Sequence, residues 1–203
     1  MGCGRAIAAE FLGIKKDYSP CRFGDGLFCR SYCHAEDRRV IPHRVVHHWD
    51  FATHRVCKDS RAFLDATRFL PVFDLPELSP ALFAEHESLR TARSRRRQLH
   101  LLRRAVYSPP KSKCTSGARL FDKLLDGRMH LAVSPGLYSL EDLLGVRNSS
   151  LLDFLEETIE VLAAHVVDGC DVCEARAARV CSSCDAGGPI FAFQASLLRT
   201  KRA

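Results

Sequence analysis

Four cysteines fall close together near the end of the chain, as Cys170-Asp-Val-Cys173 and Cys181-Ser-Ser-Cys184. A two-residue gap lets both thiolates of a pair point at one ion at about 2.3 Å, and two such pairs complete a tetrahedron. That spacing is the one structural zinc sites use. A looser set opens the chain: Cys3, Cys21, Cys29 and Cys33, with His34 directly after the last. Cys29 and Cys33 enclose three residues, within the range that zinc knuckles tolerate. Four thiols can make an all-cysteine site there, or His34 can replace one of them. The expected cofactor is therefore zinc, two ions in all. Cys57 and Cys114 stand apart and read as small buried hydrophobes. His43, His47, His48 and His54 read as surface or hydrogen-bonding residues rather than ligands.

Sites dominated by cysteine are closed, whereas a catalytic zinc keeps one position open among histidine and carboxylate ligands. The chain has no HExxH, no phosphate-cradling glycine loop and no GxSxG elbow. The expectation is a protein that is not an enzyme and takes no small-molecule substrate.

A second chemistry lies in the charges. Seven arginines and no acidic residue occur from Arg90 to Arg104, while Glu141 to Glu174 holds nine acidic side chains and one arginine, Arg147. On a helix, Arg93, Arg96, Arg97 and Arg104 can share one basic face, which could steer an acidic partner or an anionic lipid surface. The alternative is a solvated face paired with the acidic helix across the domain. Trp49, the single tryptophan, reads as a core anchor between the cysteine-rich start and the helices.

The elements that must position these residues can be sketched from composition and periodicity. The chain has 203 residues, 46% hydrophobic and 27% charged, enough to bury a sizeable core. A net charge of +6, with no aromatic stacking run beside the arginines, argues against nucleic acid as a partner. No apolar run approaches the roughly 18 residues of a membrane span, and no signal-peptide core precedes the first cysteines. A cytoplasmic chain with reduced thiols is expected.

Phe23, Leu27 and Phe28 around Gly24-Asp25-Gly26 predict a small hairpin with a cysteine at each end. An extended stretch broken by proline should follow, from Val40 to Phe51. Helices are then predicted from Asp59 or Ser60 up to Pro71, from Pro80 to Tyr107, from Gly117 to Arg128 and from Tyr138 to Leu144. A last one should start near Ser150, capped by that serine with Asp153, and stop at Gly169. The fold class is mostly α with small irregular β. A single domain is expected: an N-terminal zinc-binding region at 1–58, a helical core at 59–168, zinc knuckles at 169–193 and a basic tail at 194–203.

The segment from Ile41-Pro42 through Trp49-Asp50-Phe51, behind a cysteine-histidine knuckle, resembles the Rubicon homology domain. So do Leu82-Phe83, the Leu-Arg-x-x-Arg helix at 89–93, Tyr138-Ser139-Leu140 with Asp142-Leu143, the His165 to Cys170-x-x-Cys173 join, and Ile190-Phe191-x-Phe193. These recur in family order over residues 3–193. The resemblance implies zinc-supported folding and binding to a GTP-loaded Rab GTPase on late endosomes or lysosomes, in endolysosomal traffic or autophagy. Only Cys3 remains of the family's opening cysteine pair, and the cysteines and histidine that follow the Phe-x-Phe element do not occur. The domain is thus expected to be shortened at both ends. A RING-like ubiquitin-ligase scaffold is the other zinc-bearing class considered, as is a shortened domain that binds no Rab.

Overall fold

The computed structural model describes residues 18–24, 26–30, 33–107 and 114–167. The predicted hairpin is present: β1 (Tyr18–Pro20) pairs antiparallel with β2 (Leu27–Cys29), with Tyr18 opposite Cys29. The Cys21 N–H donates to the Gly26 carbonyl at 2.8 Å and closes the turn. A second pair joins β3 (His34–Val40) to β4 (Thr53–Cys57), placing the His34 backbone opposite Cys57.

Between those strands the expected extended stretch is instead helical, as α1 (Pro42–His48). Pro42 starts this helix, where its missing N–H is no loss and its fixed φ suits the turn. The chain leaves α1 through Trp49, held left-handed at φ 52°. The contacts of its ring compensate for that strain: Trp49 stacks on His86 and meets Phe51 edge-on, each at 5.0 Å between centroids. It packs against the main core, as an anchor should.

The rest is helical apart from one short pairing. The order is α2 (Lys58–Thr67), β5 (Phe73–Asp74), α3 (Leu75–Leu78), α4 (Leu82–Glu85) and α5 (Glu87–Tyr107), then α6 (Thr115–Leu124) and α7 (His130–Val133). β6 (Leu137–Tyr138) pairs with β5, and α8 (Leu140–Arg147) and α9 (Ser150–Val167) complete the described chain. The helix expected from Pro80 to Tyr107 is broken at His86, which is extended. Arg90 holds the break by donating to the Phe83 and Ala84 carbonyls at 3.0 and 2.6 Å.

The capping box lies one helix earlier than expected. Ser139 and Asp142 exchange side-chain and backbone hydrogen bonds of 3.0 and 2.9 Å at the start of α8. The Ser150 hydroxyl instead donates to Asn148 Oδ1 at 2.7 Å.

The predicted stripes are buried. Leu82, Leu89, Leu99, Leu102 and Val106 and, from α9, Leu151, Leu155, Ile159, Leu162 and Val166 all join one cluster. Each such side chain contributes about 1.5–3 kcal/mol on burial, so the α5–α9 contact dominates the fold. The hairpin region has only a small cluster of its own, Cys21, Val56, Cys57 and Leu64 with Phe28 against it.

Candidate functional site

The hairpin turn delivers Cys21 to the end of β4. Its sulfur accepts the N–H groups of Gly24 and Cys57, both at 3.4 Å. Ser60 Oγ lies 3.3 Å from the Cys21 sulfur and 3.1 Å from that of Cys57. Burial alone raises the Cys21 thiol, but hydrogen bonds with Ser60 and the backbone N–H groups of Cys57, Gly24 and Phe23 bring it down to about 7. A sulfur so served is prepared to be a thiolate, the form that ligates metal. The donor chemistry at Cys21 therefore fits zinc.

Cys29 is buried at the end of β2 and Cys33 is half-buried. The Cys33 N–H donates to the Cys29 carbonyl at 3.2 Å, and the Cys33 carbonyl accepts the Lys58 N–H at 2.8 Å. The backbone of this second cysteine pair thus abuts Cys57. Cys57 is buried as its isolation suggested, but it stands beside Cys21: the hairpin docks on β4, where the Arg22 N–H donates to the Arg55 carbonyl at 3.2 Å, a packing that local spacing does not encode. Cys3, Cys170, Cys173, Cys181, Cys184 and the His34 ring lie outside the described part of the chain. Among the described residues, no three His, Cys, Asp or Glu side chains converge in a group able to hold a metal ion. Cys114, also read as solitary, has its sulfur 3.3 Å from His165 Nε2.

The basic face is narrower than expected. Arg97 and Arg104 are exposed, and Arg93 is half-buried with its guanidinium 4.7 Å from the Phe83 ring centroid. Arg96 does not belong with them, being fully buried. Its guanidinium lies 4.2 Å from the Tyr138 ring centroid and donates to the Ser134 and Leu137 carbonyls at 2.9 and 2.7 Å, with longer bonds to His130 and Leu131. The reason is rotational: position 96 falls seven residues after Leu89 and three before Leu99, inside the apolar stripe. That periodicity was the available signal. Part of the charge is also answered internally, since Arg95 pairs with Glu156 of α9 at 2.9 Å. Arg90, Arg93, Ser94 and Arg97 with Phe83 and Ala84 line a shallow cleft of about 420 Å³.

A surface that the periodicity did not reveal runs along α2 and the segments after it. Phe63, Phe69, Leu70, Val72 and Leu78 are between 47% and 66% exposed. The Phe23 ring from the hairpin turn stacks on Phe63 at 5.8 Å, which ties that side chain to the cysteine-rich corner. Arg68, beside Phe69, pairs with Glu141. Grouped exposed apolar side chains of this kind mark interaction surfaces. No described helix is long and apolar enough to cross a membrane.

Comparison with known proteins adds an independent finding. The family model described as the Rubicon Homology Domain matches residues 19–201. A Drosophila melanogaster protein, "Differentially expressed in FDCP 8 homolog", is 33% identical over 193 residues, covering 93% of this chain and 38% of its own length. "Pleckstrin homology domain-containing family M member 3" of Xenopus laevis is 29% identical over 95% of this chain and 24% of its own. The human "Protein associated with UVRAG as autophagy enhancer" is 26% identical over 98% of this chain and 28% of its own. The chain thus spans well under half the length of each of these relatives.

Proposed function

This chain belongs to the Rubicon homology domain family, and on that premise we propose that it is a non-catalytic adaptor module for a GTP-bound Rab GTPase of late endosomes. It acts in endolysosomal traffic or autophagy, at the cytoplasmic face of late endosomes or lysosomes. The observation that carries this reading is the family match across residues 19–201, with a human relative named as an autophagy enhancer. The apolar patch from Phe63 to Leu78, whose Phe63 meets the cysteine-rich corner through Phe23, supports it as a docking surface for a protein partner. Arg93, Arg97 and Arg104 supply a positive flank that can steer an acidic partner or an anionic membrane.

Zinc would serve structure rather than chemistry. Cys21 and the neighbouring Cys57 would offer sulfurs to one ion at the hairpin corner, its other donors coming from residues outside the described part of the chain, and the cysteine pairs at 170–184 would hold another. A bound zinc ion cross-links segments distant in sequence and adds its binding energy to folding. Cys21 contributes a sulfur already supported by N–H donors, and Ser60 orients both it and Cys57.

The test is calorimetric binding of the zinc-loaded chain to the late-endosomal Rab, loaded with a GTP analogue or with GDP. Selective binding of the GTP form is expected. The double change Phe69→Asp with Val72→Asp should weaken it at least tenfold while leaving Tm within about 2 °C, because both side chains are exposed. Equal binding to both nucleotide states, or to neither, overturns the adaptor reading.

A further inference from the structure

The arginines of α5 divide by what each one touches. Arg95 pairs with Glu156, Arg96 serves backbone carbonyls in the core, and Arg103 lies 4.9 Å from the Tyr107 ring centroid. Arg90, Arg93, Arg97 and Arg104 remain, and among the described residues none of them forms an ion pair with a carboxylate. We propose that these four form a binding site for an acidic segment of a partner protein, lying extended along α5. The site shares no residue with the apolar patch at Phe63–Leu78, so it provides for a second contact, and it rests neither on the Rab reading nor on zinc.

Charge makes the first argument. No aspartate or glutamate occurs from Ser88 to Phe121, so the chain around these arginines supplies no local counter-charge. A face of guanidinium groups that meets no carboxylate draws an anion from outside the molecule.

Geometry makes the second. At 100° and 1.5 Å per residue, positions 90, 97 and 104 fall within about 40° of one another and span about 21 Å, with position 93 about 60° to one side. That span is the length of roughly six or seven residues of extended chain. A stripe of this length suits a polypeptide better than a single small anion.

Two of the guanidinium groups are held in place before anything binds. Arg90 uses Nη1 alone to donate to the Phe83 and Ala84 carbonyls at 3.0 and 2.6 Å. Arg93 lies 4.7 Å from the ring centroid of Phe83, itself a buried side chain. Groups already ordered lose less freedom on association, and the arginine fork takes a carboxylate through two parallel hydrogen bonds. With Ser94, Arg97 and Ala84 they line a cleft of about 420 Å³, open enough for acidic side chains to enter from a peptide laid across it. Neither α4 nor α5 exposes a large apolar side chain that would enter a bilayer, which favours an acidic polypeptide over a lipid surface.

The test is fluorescence anisotropy of the full chain with a labelled twelve-residue peptide in which glutamate alternates with serine, so that its carboxylates share one face. The same peptide with glutamine for glutamate is the uncharged control. At physiological salt the glutamate peptide should bind and the glutamine peptide should not. Arg93→Glu with Arg97→Glu should weaken binding at least about tenfold. Arg119→Glu with Lys123→Glu, an equal change of charge at exposed positions of α6, should alter it less than about threefold. Arg97→Lys keeps the charge, removes the fork and sits at an exposed position, which guards against a variant that misfolds; it should weaken binding about threefold. Equal losses in the two double variants would reduce the effect to net charge and overturn the site, as would failure of the glutamate peptide to bind. Phosphatidylserine vesicles that bind the wild-type chain but not the Arg93/Arg97 variant, with no peptide binding, would assign the face to a lipid surface and also overturn it. None of these readouts uses a Rab, so the adaptor reading stands or falls separately.

Discussion

Arg96 carries a positive charge into the contact between α5 and the α7–β6 segment, where its guanidinium serves backbone carbonyls rather than an acidic partner. His130, Leu131, Ser134 and Leu137 all supply those carbonyls, so one side chain holds the end of α7 and the turn into β6. Removing the donor strands buried acceptors, each at about 1–3 kcal/mol. Arg96→Met is therefore expected to cost about 3 kcal/mol or more in urea unfolding. Arg97→Ala, one residue on and exposed, should stay within about 0.5 kcal/mol. Equal small effects would mean that the guanidinium is not structural. As residue types the two arginines are indistinguishable; only their place relative to Leu89 and Leu99 separates a core residue from a surface one. The pairing of Cys114 with His165 had no such local signal, because it depends on how α6 and α9 pack.

At the scale of elements, the joint between α7 and α8 is built around Asp142. Its carboxylate is buried, accepts the Ser139 N–H, and lies 2.8 Å from His130 Nε2 and 3.3 Å from Arg128 Nη2. Burial alone would raise this carboxyl, but His130 and the Ser139 cap hold it well below the usual carboxylate range. A group depressed on folding stabilises fully above its unfolded value, near 4, and loses that contribution as pH falls toward its folded value. The thermal stability of the chain should therefore fall steadily below about pH 4. Asp142→Asn should start lower at neutral pH and flatten that acid slope. An unchanged slope in the variant would assign acid sensitivity to other carboxylates. The Ser139-x-x-Asp142 spacing is legible as a cap, yet Ser150-x-x-Asp153 reads equally well in isolation. The deciding facts are the αL turn at Ser149 and the side chain of Asn148, which take over the start of α9.

The whole molecule divides its stability unevenly. The helical cluster gathers α5, α8 and α9 with parts of α1, α3, α4, α6 and α7, whereas the apolar cluster at the hairpin corner comprises, among the described residues, Cys21, Val56, Cys57 and Leu64. Four small or medium side chains cannot offset the chain entropy of two strand pairs, at roughly 1–2 kcal/mol per ordered residue. Small modules in that position depend on a staple, commonly a metal. The helical periodicity made the large cluster readable, because each helix declares its own buried face. The corner was not, because Cys21 reaches Cys57 and Ser60 only through the docking of the hairpin on β4, a contact across 36 to 39 residues. Zinc removal should therefore act unequally. On adding a strong chelator, amide exchange should accelerate across the described residues of 18–40 and 53–57. The middle of α5 and α8 should keep its protection, because its burial needs no ion. Because Phe63 contacts the corner through Phe23, the same treatment should also reduce the proposed Rab binding. Uniform exchange before and after chelation would show that the corner is held by packing alone, and simultaneous loss of protection in α5 would show that the ions support the entire fold.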